Sequence, residues 1–292
     1  MVTKSAGNDR VFDTFNIILM AFIMMLTLYP FYYVVILSFE QKDVFSGFAL
    51  WPQQFSTAAY RTLFRHNLLW ITYRNTVMRS IVGTLFSVFF TAMTAYPLSK
   101  RDMPLNGLFT NFILVTMLFS GGLIPIYLQV RNLGLINSFW ALIIPSLMGA
   151  YNIFIVRNFY RSIPDSLEES AKIDGANWIY IWLRIIIPLS KPVIATIALW
   201  ILVGHWNSWF DAMIYITDQN KTVVQVILRK IAVERSKTDI AAIMERMSQG
   251  DRFPTKTLEA AMITVTLVPM LVIYPFLQKY FVKGIMIGSI KG

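Results

Sequence analysis

The chain has 292 residues, of which 56% are hydrophobic and only 14% are charged. Soluble domains carry about 25% charged residues, so the composition indicates a membrane protein. The formal net charge of +10 would suit anionic lipid, and no soluble basic domain is visible that would bind nucleic acid. With no cysteine and only His66 and His205 as histidines, the sequence predicts neither thiol chemistry nor a histidine-based metal site.

Six apolar runs are long enough to cross about 30 Å of hydrocarbon as helices. The first run is too long for the apolar part of a signal peptide and no small-residue cleavage site follows it, so we interpret it as a retained anchor. No repeat or linker divides the chain, and residues 1–292 are expected to form one all-α membrane domain. The predicted spans are 14–39, 80–99, 105–130, 132–156, 192–217 and 260–278.

Six spans place both termini on one side of the membrane, here called side A. A connector of residues 157–191 lies on side A, and two longer loops, 40–79 and 218–259, lie on side B. Basic residues divide almost evenly between the two sides, although Lys100-Arg101 in a short loop favours side A as cytoplasmic. The second loop begins with a turn at residues 218–221, and a short helix is expected from Thr238-Asp239.

The connector predicts a short surface helix followed by an elbow. Ser162 or Asp165 can cap the helix, and Gly175 suits the turn that ends it. An apolar face is expected from residues at every fourth position: Ile163, Leu167 and Ala171. Such a helix is open to two interpretations, since it can lie among lipid headgroups or dock into a groove on a partner protein.

A second connector helix is predicted over residues 177–186. Pro188 and Pro192 are expected to stop it and to introduce the fifth span, because proline has no N–H for the helical ladder. The first connector helix would thereby be held at the membrane surface by a rigid elbow.

The connector resembles the loop that marks permease subunits of prokaryotic ABC importers. That loop reads Glu-Ala-Ala, three residues, Gly, nine residues, Ile-x-Leu-Pro. The matching residues are Glu169, Ala171, Gly175, Ile185 and Pro188. The chain departs from the pattern where Ser170 replaces the second Ala and Ile187 replaces Leu, and both changes are conservative.

The resemblance extends over nearly the whole chain. Asp174-Gly175-Ala176 and Pro192 match the carbohydrate-importer branch of the family. Other stretches resemble the second, shorter permease of the maltose type, and the chain is also similar to alginate-importer permeases. These stretches are residues 119–125, 132–137, 206–209 and 281–292.

The resemblance implies a type I ABC importer permease fold with six transmembrane helices and a cytoplasmic coupling helix. It places the protein in the cytoplasmic (inner) membrane, with side A facing the cytoplasm and both termini on that side. It also implies the partners: a homologous permease forming a heterodimer, a dimer of ABC ATPase subunits, and an extracytoplasmic solute-binding protein. The chain has no phosphate-binding loop. ATP and magnesium are therefore expected in the partners, with no enzyme activity, cofactor or metal in this chain.

Two groups of residues are expected to contact the ATPase. The coupling group comprises Glu169, Ser170, Ala171, Asp174, Gly175 and Pro188. For Asp174 and Gly175 the alternative is a purely loop-shaping role. By resemblance, the tail with Gly288 and Lys291 reaches the ATPase interface, whereas its alternative is simple disorder at a terminus.

The solute path is expected along the fifth span. Trp200, Gly204, Asn207 and Asp211 recur at helical spacing, and ionisable groups inside spans are usually functional. Trp206 and Trp209 lie on an adjoining face. Aromatic rings and amide or carboxylate groups suit the CH faces and hydroxyls of sugars. The tryptophans also fit an interfacial aromatic belt, and the main sugar site can lie in the partner permease.

Three further features each carry a prediction. Gly121-Gly122 with Pro125 predicts either a kink near a gate or close helix packing. Arg79 either snorkels outward or faces the path, and Glu259 starts the sixth span.

The substrate class is a sugar or oligosaccharide by resemblance. Basic residues outnumber acidic ones in the side B loops, which can steer an acidic oligosaccharide such as an alginate fragment or dock an acidic face of the binding protein. An ion-coupled secondary transporter is the rival class, and it would need paired carboxylates or broken helices within the membrane. A scaffold or enzyme subunit is a third class, and no nucleophile–base set supports catalysis.

Overall fold

A computed structural model describes residues 6–41, 50–233 and 254–289, and these residues are almost entirely helical. They contain no strand, only an isolated bridge between Glu40 and Phe55. The α-helices in chain order are α1 Ala6–Leu37, α2 Ala58–Arg65, α3 Asn67–Ser99, α4 Asn106–Leu118, α5 Leu123–Asn132, α6 Ala150–Arg161, α7 Ser166–Ile173, α8 Trp178–Ile181, α9 Ile187–Leu189, α10 Lys191–Asn207, α11 Phe210–Tyr215, α12 Val224–Val233 and α13 Thr255–Ser289.

Three uninterrupted helices are long and apolar enough to cross a membrane. They are Phe12–Leu37 of α1, the whole of α3, and Lys256–Ile273 of α13. Three further candidates are bent pairs: α4 with α5 at 115°, the 139–146 segment with α6 at 54°, and the 178–189 segment with α10 at 81°. The predicted all-helical membrane fold is confirmed, and a count of six spans follows only if each bent pair crosses as one.

The sequence is a poor guide to where the helices begin and break. The second span was expected from residue 80, but α3 begins at Asn67, because Arg79 lies inside the helix with its charge compensated. The third expected span breaks at residues 119–122, where Gly122 has a φ of 86°. The predicted helix 132–156 is α-helical only from Ala150, because 3₁₀ turns containing Pro145 precede it.

The described residues form two compact units, the first from those described within 1–66 and 230–267 and the second from those described within 67–229 and 268–289. In the first unit the loop after α1 is organised by one buried carboxylate. The side chain of Glu40 is 1% exposed and accepts the backbone N–H groups of Gln53 (2.7 Å) and Gln54 (3.0 Å). Thr257 donates its hydroxyl to the Glu40 carbonyl at 2.9 Å. These bonds tie the 50–56 loop and the start of α13 to the end of α1.

The second unit is built around α3, which packs against α6 and α10. The buried face of α3 is a stripe of small and polar residues, which lets helix backbones approach closely in a membrane protein. At the closest point a Cβ added to Gly83 would lie 2.5 Å from Nε2 of His205 on α10. The buried members of the stripe are Thr72, Thr76, Ser80, Gly83, Thr84, Ser87 and Thr91.

A hydrophobic cluster closes the connector end of this unit. It joins the last turns of α3 to α6, to the 178–189 segment and to the first half of α10, with side chains such as Tyr96, Tyr160 and Trp182. A smaller cluster lies around α11, with Leu142, Ala212 and Val223 in it. The connector therefore rests on a packed core, which gives the short helix α7 a fixed base.

Candidate functional site

The predicted surface helix exists as α7, Ser166–Ile173, and Gly175 forms the turn after it. Gly175 has a φ of 80°, a conformation that other residues adopt only at a cost. Glu169, Ser170 and Asp174 are exposed, whereas Ala171 packs against the connector core. The expected cap is wrong, since Asp165 holds the N-cap position without a side-chain bond. Ser162 instead donates its hydroxyl to the Phe159 carbonyl at the end of α6.

Glu168 is the buried acid of α7, and nothing in the connector motif marks it. Its side chain forms an ion pair with Lys100 and accepts the hydroxyl of Tyr96 at 3.5 Å. The predicted apolar face is confirmed at Ile163 and Ala171, which pack against the core. It is wrong at Leu167, which is 43% exposed while Glu168 is 5% exposed. No local signal could have found it, because its partner Lys100 is 68 residues away along the chain.

Two arginines of α6 donate hydrogen bonds to carbonyls at the C-terminal end of α3. Arg157 donates its Nε to the Leu98 carbonyl at 2.8 Å, and Arg161 donates to the Ser99 carbonyl at 3.2 Å. Asn106 adds bonds to the carbonyls of Leu98 and Lys100. These donors satisfy helix carbonyls that would otherwise lack partners, and cations are favoured at a helix C-terminus. Lys100 is thereby fixed where it meets Glu168.

A cavity of about 270 Å³ lies between the 99–102 loop and α7, lined by acidic and basic side chains. Glu169 and Lys172 are among its lining residues, and Lys172 places its Nζ 3.8 Å from the centroid of the Trp178 ring. We call Tyr96, Lys100 and Glu168 the connector cluster. The connector cluster contacts the inner face of α7, and the residues on the outer face of α7 stay exposed.

The second connector helix continues past Pro188 and ends at Leu189, before Pro192, three residues later than predicted. Helical structure continues from Trp178 to Leu189, with a π-helical turn over Trp182–Ile186 directly before the proline-bearing turn Ile187–Leu189. Proline lacks an N–H and crowds the carbonyl four residues earlier, and a wider turn relieves both problems. The bend comes instead at Ser190, before α10 begins with Lys191-Pro192.

The fifth span is not a continuous helix. Helix α10 ends at Asn207, Ser208 is its C-cap, and α11 starts at Phe210. The prediction that Asp211 continues the stripe of Trp200, Gly204 and Asn207 is therefore wrong. The break interrupts the 3.6-residue periodicity on which that prediction depended.

Asp211 is instead the partly buried acid of an ion pair. It pairs with Arg79 of α3, and it also accepts the Ser208 hydroxyl at 2.9 Å. Arg79 donates to the Ser208 carbonyl at 3.2 Å and is 1% exposed, so it neither snorkels nor faces an open path. We call Arg79, Ser208 and Asp211 the break cluster. The break cluster fixes the break between α10 and α11 against the centre of α3.

The remaining predicted path residues are dispersed around the break. Trp206 is 4% exposed and meets Tyr73 edge-on at 5.7 Å, which is a core position. Asn207 is exposed, and Trp200 stacks on Tyr151 at 6.3 Å. Trp209 is partly buried, with the Arg229 guanidinium 3.7 Å from its ring centroid. Asn207 and Trp209 thus remain available to a solute, and Trp206 does not.

Two predictions fall at the edges of the described chain. Gly288 lies near the end of helix α13, while Lys291 and the expected Thr238-Asp239 helix lie outside the described residues. The predicted turn after Asp218 is present as a 3₁₀ turn, Gln219–Lys221, capped by the Asp218 side chain.

Comparisons with known proteins decide the family. The chain is 40% identical to the Bacillus subtilis (strain 168) polygalacturonan/rhamnogalacturonan transport system permease protein YtcP, over 97% of this chain and 99% of that protein. It also matches a crystal structure of a bacterial ABC transporter that imports the acidic polysaccharide alginate. There the TM-score is 0.85 with 31% identity, over 96% of this chain and 99% of the other. The chain belongs to the permease family of ABC transporters.

The fold of this permease is shared more widely. A second alginate ABC transporter structure, with alginate pentasaccharide bound by its periplasmic protein, matches at a TM-score of 0.58 with 16% identity. A scan of protein-family models finds no match. Because the proteins it matches are permease subunits, this chain is a membrane subunit of a transporter and not its catalytic part. Helix α7 lies at the position where the sequence motif predicted a coupling helix.

Proposed function

We propose that this permease is one of two membrane subunits of a binding-protein-dependent ABC importer that moves an acidic oligosaccharide across the cytoplasmic membrane. Two matches support the substrate class. YtcP is named for polygalacturonan and rhamnogalacturonan, whose galacturonate units carry carboxylates, and the alginate transporter imports an acidic polysaccharide. The basic balance of the side B loops favours the same charge type.

The observation that carries the proposal is the attachment of α7 to α3 through Glu168 and Lys100. In the proposed mechanism an ATPase dimer holds α7 from outside and moves it as the dimer closes on ATP. The ion pair and the core beneath α7 transmit that displacement to α3 and α10. The two permeases then exchange inward-open and outward-open states by rigid-body motion. Side A is cytoplasmic in this scheme, with both termini inside.

Each coupling residue has a part in the proposed contact. Glu169 and Ser170 offer a carboxylate and a hydroxyl on the outer face of α7. Ala171 keeps the inner face close to the core, and Gly175 sets the elbow beside Asp174. Pro188 holds the widened turn that leads to α10. The tail containing Gly288 and Lys291 is proposed as a second ATPase contact.

The proposed partners follow from the family. They are a homologous permease, an ATPase dimer that carries ATP and magnesium, and an extracytoplasmic binding protein, with lipid around the spans. The second alginate transporter was solved with its sugar-bound periplasmic protein. No cofactor or metal is proposed for this chain. An ion-coupled secondary transporter is not favoured, because Asp211, the acid in the fifth span, is neutralised by Arg79.

Reconstitution tests this proposal. The permease, its partner permease, the ATPase and the binding protein are placed in proteoliposomes, and uptake of an oligogalacturonate is measured with and without ATP inside. ATP-dependent uptake that requires every component is expected. Uptake driven by an ion gradient through this chain alone would overturn the proposal.

A matched pair of variants tests the coupling role of α7. Gly175→Leu forces a branched side chain into a left-handed conformation, whereas Gly175→Asn is a substitution that this conformation tolerates best. The Leu variant should assemble yet lose uptake, and the Asn variant should retain most of it. If the Leu variant assembles and still couples ATP hydrolysis to uptake, the proposed role of α7 fails.

A further inference from the structure

We propose that Trp209 and Arg229 form a subsite for the carboxylate of an acidic sugar at the side B end of the permease. This inference rests on the proposed function and names the group that would select the substrate. Its starting observation is the stack of the Arg229 guanidinium over the Trp209 ring, at 3.7 Å from the ring centroid.

Neighbouring side chains hold the Trp209 ring in place. Trp209 lies in the break between α10 and α11 and packs against the buried cluster around Leu142, Ala212 and Val223. Phe210 meets the Trp209 ring edge-on at 5.5 Å. A ring supported in this way holds the arginine in place before a ligand arrives, which lowers the ordering cost of binding.

Stacking leaves the hydrogen-bonding edge of an arginine free. The guanidinium is planar, and its N–H donors point outward in that plane. Those donors match the two oxygens of a carboxylate in a bidentate pair. A stacked arginine is therefore compensated by a ring while it can still bind an anion.

Arg79 of α3 shows the contrasting arrangement at the same break. Arg79 is fully buried and paired with Asp211. Among the described residues the salt bridges are Arg79–Asp211 and Lys100–Glu168, and neither involves Arg229. Arg229 is also only partly buried. Arg79 is therefore held by its ion pair with Asp211, whereas the guanidinium of Arg229 is accessible to a ligand.

A sugar acid fits the surroundings better than a bare anion. Asn207, exposed at the end of α10, precedes Trp209 by two residues and brings an amide that can pair with hydroxyls. Phe210, exposed beside Trp209, gives an apolar surface for the CH face of a pyranose ring. A carboxylate, hydroxyls and an apolar face occur together in a uronate residue.

The experiment compares two sugars in the complete reconstituted importer. Trigalacturonate and its methyl-esterified form differ in charge, and each is supplied on saturating binding protein. The ratio of the two uptake rates is measured for the native permease and for Arg229→Gln. Effects on folding, on binding-protein docking or on lipid contacts change both rates together and cancel in the ratio.

The acidic-to-ester ratio should fall about tenfold or more in Arg229→Gln, since hydrogen bonds to charged groups are worth at least that factor. Arg229→Lys keeps the charge without the planar fork and should lose part of the ratio, as should Trp209→Phe. Arg74→Gln removes an exposed arginine of α3 as a matched control and should keep the ratio within about twofold.

An unchanged ratio in Arg229→Gln would overturn the subsite whatever the absolute rates, and so would an equal fall in the Arg74 control. An equal loss of both sugars would assign Arg229 to docking or to lipid contact. If the native importer takes up no sugar at all with ATP, the proposed function itself has failed.

Discussion

Two ion pairs of α3 carry the same chemistry for different purposes. At the C-terminal end Lys100 meets Glu168, and near the middle Arg79 meets Asp211. The two basic residues are 21 positions apart in the sequence, which at about 1.5 Å per residue is roughly 30 Å along a helix. One pair fastens the surface helix α7 to the end of α3, and the other fastens the break between α10 and α11 to its middle.

The two clusters differ in which partner is buried. Arg79 has 1% of its side chain exposed and Asp211 23%, whereas Lys100 has 17% exposed and Glu168 7%. Removing one partner of a largely buried ion pair leaves the other charge without compensation. Arg79 also donates to the Ser208 carbonyl, so its loss leaves a second group without a partner. The break cluster is thus expected to contribute more to stability, and the connector cluster to transmit the motion of α7.

The largest effect is expected from Arg79→Ala. Asp211 would lose its cation and the Ser208 carbonyl a donor, which should lower the free energy of unfolding by about 3–5 kcal/mol. Thermal unfolding of the purified permease complex measures the loss. The double variant Arg79→Gln with Asp211→Asn removes both charges and should recover much of it. A single variant as stable as the native chain would show that the pair contributes nothing.

A smaller loss is expected from Glu168→Gln at the connector cluster. The charge-assisted bond to Lys100 disappears but the amide can still accept a hydrogen bond, so the cost should be about 1–2 kcal/mol. Uptake per ATP hydrolysed should fall as well, because α7 is held less firmly. Glu169→Gln, on the exposed face of α7, is the matched control for stability. Equal unfolding temperatures for the two variants would contradict the assigned role of Glu168.

The packing between the two clusters is tested by Gly83→Ala. The added methyl group would lie within 3 Å of three atoms of the His205 ring, and overpacking of this kind costs about 1–3 kcal/mol. His205→Ala opens space and should relieve the strain in the double variant. Additive losses in the double-mutant cycle would mean that the two residues do not meet.

The smallest effect is expected from Ser170→Ala, which restores the family pattern. The Ser170 hydroxyl donates to the Ser166 carbonyl at 2.9 Å on an exposed face of α7. Such a surface change usually alters stability by less than about 0.5 kcal/mol. Unfolding temperature and uptake should both stay at native values. A marked change in uptake alone would identify the hydroxyl as part of the ATPase contact.

The site was predictable where local chemistry controls the backbone. The left-handed turn at Gly175 follows from the special freedom of glycine, and the exposed positions of Glu169 and Ser170 follow from their place on a short surface helix. Glu168 and Arg79 were not predictable, because their roles depend on partners 68 and 132 residues away along the chain. No local pattern in the sequence encodes such a pairing.

The sequence by itself determined that this protein is helical and membrane-bound, because apolar runs in lipid must satisfy their own backbone bonds. It also determined the family, through a motif whose spacing sets the elbow at Gly175. Only the tertiary structure decided where α10 breaks, which acid is buried, and which arginine remains open. Charge placement in a membrane protein depends on compensation across helices, and compensation is a property of the packed molecule.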